Sequence, residues 1–96
     1  MKLVMIMYNE AINDEVESLL DQNGAGGFTK WTKVVGKGQA SGPHLGTHVW
    51  PKANNVIVVV TEKESADNIL QGIRELRKRS AKEGIKAFTW EVEDVT

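Results

Sequence analysis

The chain has 96 residues, of which 41% are hydrophobic and 26% charged, with a formal net charge of −1 and no cysteine. That length suits one small domain rather than two, and the balance is that of a soluble globular protein. The missing cysteines exclude a disulfide scaffold, a thiolate metal site and a cysteine nucleophile, and they suit a reducing cytoplasm. The near-neutral charge speaks against a general nucleic-acid binder.

Residues 2–8 (KLVMIMY) form a first strand. One Lys before so few apolar residues is too short for a signal peptide or a membrane span, so no membrane insertion is expected. Asn13 is the expected N-cap of a first helix, with Asp14 and Glu15 in its first turn. Val16, Leu19 and Leu20 make its apolar face, and Gly24 closes it. Residues 28–36 (FTKWTKVVG) form a second strand with imperfect alternation. A long stretch rich in Gly, Pro, Ser, His and Asn follows, far beyond a tight hairpin turn. Residues 55–61 (NVIVVVT) form a third strand. Ser65 is the expected cap of a second helix, with Ala66, Ile69, Leu70, Ile73 and Leu76 as its buried stripe. Gly72 is expected to let that helix lie close on the sheet, and Gly84 to end it. The basic run Arg74, Arg77, Lys78, Arg79 and Lys82 reads as a solvated face balanced by Glu75 and Glu83. Residues 85–92 (IKAFTWEV) form a fourth strand, with Phe88, Trp90 and Val92 on one side and Thr89 and Glu91 on the other.

The order βαββαβ predicts an α+β, ferredoxin-like domain: a four-stranded antiparallel sheet with two helices on one face. Two helices cover only one side of such a sheet, and a monomer would keep the other side polar. Strands one and three do not comply. Leu3, Met5 and Met7 oppose Val4, Ile6 and Tyr8, and Val56, Val58 and Val60 oppose Ile57 and Val59. Burying such side chains is worth about 1.5–3 kcal/mol each, so assembly through the bare face is expected.

The βαββαβ plan resembles the PII signalling proteins, as do the turn Gly26-Gly27-Phe28-Thr29 and the V-x-G-x-G pattern of Val34-Val35-Gly36-Lys37-Gly38-Gln39. The resemblance covers nearly the whole chain. The segment TKWTKVVGKGQASGPHLGTHVWP is most similar to a short PII-like subgroup often associated with heavy-metal efflux. The resemblance implies a homotrimer with its sheets toward a central axis. It also implies a T-loop, about residues 37–54 of the single 1–96 domain, that binds a partner protein such as a membrane transporter or efflux pump. In PII proteins nucleotides such as ATP or ADP bind between subunits at the base of the T-loop. This carries over to Gly36, Lys37, Gly38 and Gln39, with Thr29 after the glycine turn. Glycines let backbone N–H groups approach a phosphate, and Lys37 adds charge.

Several departures bear on that site. The link from Ser80 to Lys86 has Gly84 alone where PII proteins have a glycine-rich loop with a Lys. The segment EVEDVT is acidic where they carry basic residues. Gln39-Ala40 replaces their Arg-Gln pair. No Tyr lies in the loop, so uridylylation has no acceptor there.

His44 and His48 are the only histidines. Pro43 and Gly46 oppose a helix between them, and two imidazoles make half of a tetrahedral metal site. Symmetry, or Glu10, Glu62 or Glu91, would have to complete it. They read either as divalent-metal ligands, as in the CutA-like trimers that share this plan, or as polar loop residues that contact a partner with Leu45 and Trp50. Trp50 is either folded onto the body or an anchor. Trp31 is expected to pack between subunits and Trp90 within the fourth strand. GKGQASG is not a P-loop, since no G-K-[ST] precedes a helix. No nucleophile elbow, HExxH or convincing Ser-His-acid set occurs, so the expected function is non-enzymatic and regulatory, with nitrogen regulation as the family's theme and a cytoplasmic location.

Overall fold

The computed structural model describes residues 1–36, 53–80 and 84–96. Strand β1 (Lys2–Asn9) leads through a 3-10 turn (Glu10–Ile12) into helix α1 (Asn13–Gln22). Strands β2 (Thr29–Val35) and β3 (Ala53–Thr61) precede helix α2 (Lys63–Arg79) and strand β4 (Ile85–Glu91). The sheet order is β2-β3-β1-β4, antiparallel throughout. The predicted ferredoxin-like α+β plan is the one the chain adopts.

One continuous core forms between the sheet and both helices. Val4, Ile6 and Tyr8 of β1, Ile57 and Val59 of β3 and Ile85 of β4 meet Val16 and Leu20 of α1 and Ala66, Ile69, Ile73 and Leu76 of α2. The period-2 pattern of the strands and the i, i+3, i+7 stripe of α2 place these side chains on one side.

The helix termini differ from the caps expected. Asn13 caps nothing. The side-chain cap falls four residues earlier, on the 3-10 turn, where Asn9 Oδ1 accepts the Ala11 N–H at 2.8 Å. Ser65 lies inside the first turn of α2, whose N-cap is Glu62 with no side-chain bond. The helix ends at Arg79, where Ser80 N–H bonds Leu76 C=O at 2.9 Å. Gly84 instead begins the approach to β4, its carbonyl accepting from Asn9 N–H at 2.9 Å. Gly24 closes α1 as expected. It has φ +70, and its N–H reaches Asp21 C=O while Ala25 N–H reaches Leu20 C=O. Gly72 serves helix–helix rather than helix–sheet packing: a Cβ there would run into the Leu19 side chain of α1.

The uneven pattern of β2 has a physical cause. Trp31 pairs with Val56 and Val34 with Asn54, so Thr32 and Lys33 together oppose Asn55 alone. This is a β-bulge, and Lys33 takes φ +57 within it. The extra residue resets the alternation just before the chain leaves the sheet. Strand β3 also starts two residues earlier than expected, so Ala53 and Asn54 belong to the sheet rather than to the loop.

Candidate functional site

The last pair of β2 and β3, Val35 with Ala53, is the base from which residues 37–52 depart. At Gly36 an added Cβ would sit 2.9 Å from Asn54 Nδ2, so that side-chain tip would have to turn aside. Thr29 lies at the opposite end of β2, paired with Val58. One protomer therefore does not bring Thr29 and Gly36 together. Lys37, Gly38, Gln39, His44, Leu45, His48 and Trp50 lie outside the described residues.

Just behind this base is a polar node that the sequence reading missed. Asn55 stands opposite the bulge and is 4% exposed. Its Nδ2 donates to Asn13 Oδ1 at 3.2 Å and reaches Tyr8 Oη at 3.5 Å. Tyr8 O–H donates to the same Asn13 oxygen. Asn13 Nδ2 donates to Glu17 Oε2 at 2.8 Å, and Lys30 Nζ closes the network on that carboxylate at 2.5 Å. The hydrogen bond from Lys30, then that from Asn13, hold the Glu17 carboxyl below its ordinary range. The same bond to Glu17 raises Lys30, and burial raises the Tyr8 hydroxyl. Asn55 Oδ1 is buried without a partner among the described residues. The node ties the start of β3 to β1 and α1. The i, i+4 spacing of Asn13 and Glu17 and the Asn54-Asn55 pair ahead of the apolar run of β3 were the signals available for it.

The second feature is the side of the sheet that no helix covers. Its registers run in three rows: Trp31, Val56, Met7 and Lys86; Thr29, Val58, Met5 and Phe88; Val60, Leu3 and Trp90. Trp31 is 51% exposed, Trp90 50% and Phe88 42%. Phe88 and Trp90 face each other with ring centroids 6.3 Å apart. Trp90 packs on no core; it belongs to this bare face, as does Trp31.

The carboxylates considered for a metal are not gathered. Glu10 follows β1 at one end of the sheet, while Glu91 sits at the other and bonds Lys2 Nζ at 2.7 Å. Among the described residues no three His, Cys, Asp or Glu stand together to hold an ion. None of the described helices is long and apolar enough to cross a membrane.

Comparison with known proteins gives the decisive observation: the model of the nitrogen regulatory protein P-II family matches residues 1–96. The chain belongs to that family. The P-II fold is also what solved structures share with it. A PII-like signalling protein of Thermus thermophilus superposes with a TM-score of 0.69 at 22% identity, over 95% of this chain and 85% of its own. CPII of Thiomonas intermedia, a nitrogen regulatory PII-like protein bound to ADP, AMP and bicarbonate, gives 0.68 at 20% identity, over 97% and 88%. Its apo form gives 0.67 at 17%, over 95% and 89%. No curated protein matches the sequence.

Proposed function

We propose that this P-II protein is a non-enzymatic regulator that works in the cytoplasm as a homotrimer of one-domain chains. The observation that carries the reading is the uncovered apolar side of the sheet, which needs a partner surface as apolar as itself. Packing three such faces around an axis buries Met5, Val58, Phe88 and their neighbours. The position of Thr29 and Gly36 at opposite ends of β2 supports a ligand cleft shared between protomers, since only a neighbour can complete it.

The ligand is an adenine nucleotide held at Gly36, Lys37, Gly38 and Gln39, with Thr29 from the far end of a strand. The nucleotides bound by CPII support that class. Residues 37–52, somewhat shorter than the loop expected from sequence, form the arm that binds a partner protein, a membrane transporter or efflux pump being the kind considered. His44, Leu45, His48 and Trp50 supply its contacts. Nucleotide occupancy sets the arm's conformation, and the polar node at Asn55 anchors the strand that follows it.

Native mass spectrometry with ATP, ADP, zinc and copper, on the full chain and on a deletion of residues 42–49, tests this reading. Uptake of up to three nucleotides by a trimer, and an intact trimer after deletion that no longer binds its partner, are expected. Metal uptake that depends on His44 and His48, with no nucleotide bound, would move the function to metal binding. Loss of assembly on deletion would make the loop structural.

A further inference from the structure

Five ion pairs among the described residues engage Lys2, Lys30, Lys63, Lys78 and the N-terminus. The arginines of α2 are in none of them. Glu75 balances the basic run as expected, through Lys78 rather than through an arginine. Arg74 reaches the amide oxygen of Gln71 at 3.3 Å. Arg74 and Arg77 are neighbours three residues apart on one helix face. With Leu70 and Ile73 of the same helix and Ala87 of β4 they line a notch of about 170 Å³.

The backbone makes this notch more than a charged rim. Strand β4 is an outer strand of the sheet. Asn9 N–H bonds Gly84 C=O, and Val92 N–H bonds Met1 C=O, which fixes the alternation along the β1–β4 ladder. Ile85, Ala87, Thr89 and Glu91 therefore occupy the non-hydrogen-bonded positions and turn their N–H and C=O groups outward. Arg77 already uses one of these groups: its Nη2 donates to Ile85 C=O at 2.8 Å, which holds the guanidinium beside the edge. Ala87 faces the helices between Ile85 and Thr89, and its short side chain leaves the space that a larger residue would fill.

We propose that this notch is an oxyanion site, in which the Arg74 and Arg77 guanidiniums and the Ala87 N–H hold a carboxylate or a phosphate. Guanidinium forks match both anions, and the aliphatic floor of Leu70 and Ile73 excludes water from one side. The volume falls below the roughly 300 Å³ at which pockets for drug-sized molecules begin. Its occupant is a single anionic group, free or carried on a larger molecule. The site is separate from the nucleotide reading, because neither Thr29 nor Gly36, the described residues of that reading, is among those lining the notch.

The test is a ¹⁵N–¹H NMR titration of the full chain with sodium phosphate, sodium acetate and sodium chloride at constant ionic strength. The Ala87 amide and the arginine Nε signals should shift saturably with phosphate, acetate or both, and not with chloride. A response to phosphate alone marks a phosphoryl ligand, and one to acetate alone a carboxylate. Arg74→Gln, an exposed change, should weaken the response by roughly tenfold or more, as expected for a lost charge-assisted bond. Ala87→Val keeps both arginines and fills the floor, and it should weaken the response as well. The proposal is overturned if nothing shifts, if chloride acts like the other anions, or if the shifts gather at Gly36 instead of Ala87. Wild-type titration by both variants would overturn it equally.

Discussion

Val4, Ile6 and Tyr8, on one side of β1, are each no more than 1% exposed, while Met7 on the other side is 36% exposed and its neighbours Trp31 and Phe88 more so. The two sides carry nearly the same chemistry. One is closed by α1 and α2 within the chain, and the other is left open by a fold that has no third layer. Apolar content alone therefore does not tell which face is the core. The placement of the helices does, and a second apolar face is then a statement about assembly.

The strongest challenge to this contrast is to charge the open side. Val58→Lys places an ammonium between Met5 and Thr29. The variant should keep its circular dichroism and lose assembly entirely, as sedimentation would show. Ile57→Ala, one residue away but on the closed side, should do the reverse. It should cost about 2–5 kcal/mol in urea unfolding through the cavity left in the core. Tyr8→Phe removes a hydroxyl that donates to Asn13 and accepts from Asn55. It should cost about 0.5–1.5 kcal/mol, the worth of a lost hydrogen bond, because Asn55 Nδ2 and Asn13 Oδ1 keep each other as partners, and it should not alter the oligomer's mass. The smallest effect belongs to Glu17→Gln. The wild-type carboxyl titrates below its ordinary value of 4.5 because Lys30 and Asn13 bond its charged form. Its contribution is therefore complete above that value and is lost as the pH falls through the lowered one. Unfolding curves from pH 7 to pH 2 should show a shallower acid limb in the variant.

Much of the fold was legible in the sequence because the strands and helices carry strong periodicities, and both-sided apolar strands announced the open face. The caps were misplaced because Asn9 and Asn13 are both good capping residues, and only the 3-10 turn between them decides which one caps. Asn13 was thereby freed to join the polar node, a partnership of residues 42 positions apart with Asn55 that no local pattern encodes. The bulge showed in the sequence only as a poor alternation. Of the candidate site, only the position of Gly36, directly after β2, was legible, from the V-x-G-x-G pattern that opens the loop. The pairing of α2 arginines with an outer strand was not, since it depends on which residues of β4 turn their backbone outward. The remaining loop positions, His44 and His48 among them, lie outside the described residues.

Assembly through the open face is tested most simply by the native mass of the wild-type chain at micromolar concentration. A species of three chains of 10.6 kDa each is expected, which Val58→Lys reduces to one. A wild-type protein that stays a folded monomer, with Trp31 and Trp90 fluorescing as solvent-exposed residues, would contradict it.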